Sequence, residues 1–132
     1  MAIGVHDLTP LLQVFDMRTS IRFYCDLLGF ELINQSQPGD DFDWAALALH
    51  GVKLMLNTAY DEGERPGTPD PARVAAHADT ILYFNCPDPD GAYQHLRSAG
   101  LDPQPPTVAY YGMRQLYVSD PDGYALCFQC PT

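Results

Sequence analysis

Apolar and polar positions along this chain switch between two periods, and they do so twice. Residues 8–15 carry a strand-like run, Leu11-Leu12-Gln13-Val14-Phe15, which ends at Asp16, a side chain suited to capping a helix. Ile21, Tyr24, Cys25 and Leu28 then recur at i, i+3, i+4 and i+7, the stripe of an amphipathic helix, which stops at Gly29. The order repeats in the second half. Ile81-Leu82-Tyr83-Phe84-Asn85-Cys86 predicts a strand, Asp88-Pro89 a capped helix start, and Gly100 the stop after Ala99. The two glycines lie 71 residues apart in a chain of 132. Such self-similarity describes the whole fold.

Extended segments follow each helix. In the first half these are residues 30–35, 43–49 and 52–57, the last two flanking His50-Gly51, a tight-hairpin signal. In the second half Pro103, Pro105 and Pro106 leave at most a short edge segment. Residues 115–119 and 124–129 flank Asp120-Pro121-Asp122-Gly123, with proline second and glycine fourth as a tight turn prefers. The pattern predicts β-α-β-β-β, a linker and β-α-β-β-β. The modules span residues 8–57 and 80–129 of a single domain covering 1–132. The linker, 58–79, is too long for a bland connector and has room for one helical turn over 71–78.

Charge narrows the functional classes. Seven Lys and Arg against 17 Asp and Glu give a net charge of −10. Phosphate neutralisation requires clustered cations, so a nucleic-acid partner is not expected. The acidity is compatible with a cationic small molecule and equally with a solvated surface. Residues 1–7 have no basic stretch and no apolar run, and no segment approaches the roughly 20 apolar residues of a membrane span. A cytoplasmic location is therefore expected, with no membrane partner, and Cys25, Cys86, Cys127 and Cys130 as reduced thiols. Cys127 and Cys130 form a CxxC, but three-residue spacing on a strand puts them on opposite faces, and no second pair completes a zinc ribbon. No Ser-His-Asp or Cys-His arrangement and no phosphate-cradling glycine loop emerges.

Val14-Phe15-Asp16, Phe23-Tyr24 with Leu28-Gly29-Phe30, Gly112-Met113-Arg114 and Asp120-Pro121-Asp122-Gly123-Tyr124 together resemble the vicinal oxygen chelate superfamily. That superfamily includes glyoxalase I, bleomycin-resistance proteins, fosfomycin-resistance proteins and extradiol dioxygenases. The resemblance implies an α+β fold of two tandem βαβββ modules whose curved mixed sheets form a cup. It also implies where a metal would sit. The ligand positions of the family's metalloenzymes fall here on Thr9, near Met55, on Ile81 (with Thr80 beside it) and on Cys127. None is His or Glu, and this set does not make a divalent-ion site. No cofactor is expected. His77, just ahead of the second module, is the residue that an alternative, shifted metal site would recruit.

What remains resembles the bleomycin-resistance branch, which implies metal-independent binding of a small organic molecule by an antibiotic-sequestering homodimer. The competing reading is a metal-dependent lyase or isomerase of the glyoxalase kind, or an extradiol-type dioxygenase with shifted ligands. With the family's ligand positions setting the phase, alternation turns Gln13, Asn57, Tyr83, Asn85 and Gln129 inward as a neutral hydrogen-bonding lining. Trp44 and Tyr111 stand at the rim as candidate stacking surfaces, with packing as the plain alternative. Arg114 completes the candidate ligand set as an anion grip, or else serves as a structural partner for an acidic neighbour near Asp120.

Overall fold

The computed structural model describes residues 1–60 and 63–132. The elements in chain order are β1 (Leu11–Val14), α1 (Met17–Ile21) continued by a π-helical turn (Arg22–Leu27), β2 (Glu31–Gln35), β3 (Trp44–Leu49), β4 (Val52–Thr58), α2 (Pro71–His77), β5 (Ile81–Asn85), α3 (Pro89–Ser98), β6 (Thr107–Val108), β7 (Met113–Ser119) and β8 (Ala125–Pro131). They form two compact units, Met1–Thr68 and Pro69–Thr132. Each holds a four-stranded sheet of the same topology, ordered β1-β4-β3-β2 and β5-β8-β7-β6. The first strand of each unit runs parallel to the last, and the other pairings are antiparallel.

Local chemistry explains the helix starts. Asp16 accepts from the Thr19 amide and hydroxyl, at 3.3 and 2.6 Å. Asp70 and Asp88 cap α2 and α3 in the same way, each with proline next in line. The helix predicted after Asp16 is α-helical only to Ile21; the chain then widens, and the Leu28 amide donates to the Phe23 carbonyl at 3.1 Å. This i to i−5 bond defines the π turn. It turns Phe23 inward beside Tyr24, and both rings are buried and meet edge to face, 5.1 Å apart.

In the first unit, Leu12, Val14, Leu54, Leu56, Ala45 and Leu47 form the buried sheet face with Met17, Phe23 and Tyr24. His50 and Gly51 both take positive φ, 50° and 83°, so β3 and β4 are joined by a two-residue turn that matches strand twist. In the second unit Leu116, Val118 and Leu126 are buried on the sheet, and Leu96 of α3 is buried with them. There α2 rests on the Asp-Pro-Asp-Gly turn. Asp120 Oδ1 accepts from the Asp122 and Tyr124 amides at 2.9 Å each, and a Cβ on Gly123 would stand 2.4 Å from the Val74 carbonyl oxygen.

The expectation of curved sheets forming a cup is corrected. Both sheets are open: β1 and β2 bound one, β5 and β6 the other, and each edge strand is paired along one side only. Closing or strongly curling a sheet requires continued strand pairing around it. Here the second sheet ends on a two-residue strand, preceded by the prolines at 103, 105 and 106 that withhold backbone donors. Among the described residues no helix is long and apolar enough to cross a membrane.

Candidate functional site

Alternation and register define, in each unit, a sheet face turned away from the helix. In the first unit, Gln13, Asn57 and Trp44 are direct cross-strand partners and share that face. Asn57 Nδ2 donates to Gln13 Oε1 at 3.2 Å and to the Thr58 carbonyl at 3.3 Å. The next row holds Leu11, Met55, Ala46 and Asn34, and Lys53, Ala48 and Glu31 form the last.

The second unit repeats the design with different side chains. Asn85, Gln129 and Gln115 form one row across β5, β8 and β7. Gln115 Nε2 donates to Gln129 Oε1 at 2.8 Å and to the Tyr111 hydroxyl at 2.6 Å, which uses both its hydrogens. The adjacent row is Tyr83, Cys127, Tyr117. The two tyrosines are 52% and 42% exposed, their hydroxyls are 3.4 Å apart, and Cys127 is buried between them. The hydrogen bond to Tyr83, then burial, then the Cys127 thiol push the Tyr117 phenol above its ordinary range, and burial raises the Cys127 thiol. The third row is Ile81, Ala125, Ser119. Beside it a cavity of about 470 Å³ is lined by Tyr117, Ser119, Ala125 and the segment from Leu101 to Gln104, a size suited to a small ligand. A cavity of similar volume in the first unit lies on the helix side, between α1 with its π turn and β2.

The structure therefore groups Gln13, Asn57 and Trp44 on one face, and Tyr83, Asn85 and Gln129 on the other, with Tyr111 reaching in through Gln115. Arg114 stands apart. It points to the helix side of β7, and its guanidinium makes two hydrogen bonds to Asp90 on α3, at 2.6 and 2.7 Å. Gln115 and Tyr117 were missed by sequence reasoning. The signal was present: they alternate with the apolar Leu116 and Val118, and their phase follows once Tyr117 is registered against Cys127.

The family's metal positions do not fit a metal here. Met55, Ile81 and Cys127 occupy sheet positions and bring no imidazole or carboxylate, and among the described residues no group of three or more His, Cys, Asp or Glu is disposed to hold one. His77 is engaged elsewhere. Its Nδ1 lies 2.7 Å from the Asp122 carbonyl and its Nε2 3.2 Å from the Tyr124 hydroxyl, while its ring stacks on Tyr124 at 4.1 Å. A carbonyl only accepts, so Nδ1 carries a proton and donates it. All four cysteines are free thiols, with Cys127 buried and the others half-buried.

An α+β protein built by duplicating a four-stranded module, with a polar and aromatic sheet face in each copy, is the class defined by these observations. Residues 5–128 match the model of the glyoxalase/bleomycin resistance protein/dioxygenase superfamily, and the chain belongs to that family. A bleomycin resistance protein of Geobacillus stearothermophilus is 32% identical over 126 residues, 90% of this chain and 92% of its own. Among solved structures, the antibiotic binding protein TnmS3 of Streptomyces sp. CB03234 is similar with a TM-score of 0.66 and 25% identity, covering 100% of this chain and 99% of that one. The bleomycin resistance determinant of transposon Tn5 shares the fold with a TM-score of 0.71 at 21% identity, covering 96% and 98%.

Proposed function

We propose that this protein binds a small organic molecule on its open sheet faces and retains it unchanged, as an antibiotic-sequestering protein. The observation that carries this reading is the make-up of those faces. Carboxamides and aromatic rings line up in register on both, with a cavity beside the second. The likeness to bleomycin resistance and antibiotic binding proteins supports it. Gln13, Trp44, Asn57, Tyr83, Asn85, Tyr111 and Gln129 are the proposed contacts, joined by Gln115 and Tyr117; Arg114 has a structural role through Asp90. Exposed Leu11, Ile81 and Tyr83 on these faces are compatible with a homodimer, to be measured by sedimentation equilibrium.

A thermal-denaturation screen against a panel of antibiotics, followed by mass spectrometry of the recovered compound, tests the reading. A bound molecule raises the midpoint in proportion to its saturation. Binding with recovery of the intact compound is the expected result. Conversion of the compound, together with a requirement for one metal ion per chain, would overturn it in favour of a lyase, isomerase or dioxygenase with shifted ligands.

A further inference from the structure

We infer that the ligand is an uncharged, planar, conjugated molecule whose edge carries both carbonyl and N–H or O–H groups; this inference rests on the small-molecule reading above. The net charge of −10 suggests a cationic ligand, but register places no carboxylate on the open face of the second unit, and Asp26 and Asp40, which line the helix-side cavity of the first, share it with Arg18 and Arg22. Asp16, Asp70 and Asp88 cap helices. Asp41 and Asp43 pair with Arg65, Asp90 with Arg114, and Asp120 holds the turn before β8. Of the acidic residues in the described strands, Glu31 alone shares an open face, and it stands in the same row as Lys53, the row farthest from the amides.

The second unit is stricter. Every side chain that register places on its open face across β5, β7 and β8, from Ile81, Tyr83 and Asn85 to Ser119, Cys127 and Gln129, is uncharged at neutral pH. Asp102, the carboxylate on the adjoining cavity wall, already has Arg97 at 3.7 Å. A charge brought onto such a face would lose water without gaining a counter-charge, whereas a neutral polar edge exchanges one hydrogen-bond partner for another. The unused groups match that edge. Gln115 is buried and holds the Gln129 carboxamide in place; Gln129, whose Oε1 is taken, offers its Nε2 as donor, and the exposed Asn85 offers an acceptor and a donor. The exposed rings of Tyr83 and Tyr117 lie one row away, so a flat body can stack while its edge bonds the amides.

The tyrosine rings would also attract a cation, so the test opposes two probes of one shape. Phenanthridin-6(5H)-one is a neutral tricyclic lactam; N-methylphenanthridinium is its cationic counterpart. Each is titrated into the intact protein by ligand-detected NMR at 20 and 500 mM NaCl. The expected result is at least tenfold tighter binding of the lactam, a dissociation constant that changes less than twofold with salt, and a tenfold loss in an Asn85→Ala variant with unaltered melting and in a Tyr117→Ala variant still folded at the titration temperature. Tighter binding of the phenanthridinium, or tenfold salt dependence for the lactam, would overturn the ligand class and leave small-molecule binding standing. Binding of neither probe at millimolar concentration would overturn both.

Discussion

At the scale of single residues, the close approach at Gly123 fixes how α2 is seated. Its φ of +88° lies in the left-handed region, and an added Cβ would stand 2.4 Å from the Val74 oxygen, which is backbone and cannot swing aside. Gly123→Ala therefore combines a strained dihedral with a steric clash, for which a loss of about 2–3 kcal/mol is expected. The check is urea denaturation, with the midpoint lowered and the slope unchanged. The same displacement would break the contacts of His77 with Asp122 and Tyr124, so the His77 ring resonances should shift in the variant even under native conditions.

At the scale of elements, the row across β5, β8 and β7 makes a prediction in alkali. The Tyr117 phenol is held up first by its hydrogen bond to Tyr83, so its neutral form is favoured in the folded state. The stability this contributes is fully present below the ordinary phenol range near 10, and is lost as pH rises through the folded value above it. Ultraviolet titration should show a tyrosine that ionises later than the others, and Tyr83→Phe should bring it back toward them. Element starts were legible in the sequence because capping and turn formation are local: Asp16, Asp88, Gly51 and Gly123 announce themselves within four residues. The Gln13, Asn57 and Gln129 faces were legible from alternation and a family phase. The free sheet edges were not, because pairing joins residues as far apart as Gln13 and Asn57. Nor was the fate of Arg114, which depends on Asp90, 24 residues earlier on another element.

For the molecule as a whole, seven cations against 17 anions leave a surplus that capping and ion pairs do not neutralise. Exposed like charges repel in the compact state more than in the expanded one, and salt screens them over roughly 10 Å at 0.1 M. Raising NaCl from 20 to 500 mM should therefore raise the melting temperature, by a few degrees for a chain of this size. A fall in calorimetric scans would mean that the surface ion pairs of Arg65, Arg97 and Arg114 outweigh the repulsion, contrary to the small worth of exposed pairs.

The π turn after α1 is where the two copies differ in length. From the capping Asp16 to Gly29 the first copy counts 13 residues; from the capping Asp88 to Gly100 the second counts 12. A π turn takes up one more residue than an α turn while leaving both ends in place. The first half thus holds one residue more between cap and stop than the second, and takes it up inside the helix without shifting the strands downstream. The extra residue should be dispensable. Removing the exposed Asp26 is expected to rewind residues 22–27 into α-helix, with Gly29 still ending it. The shortened chain should fold, show the unbroken i to i−4 amide contacts of a regular helix by NMR, and melt within a few degrees of the parent.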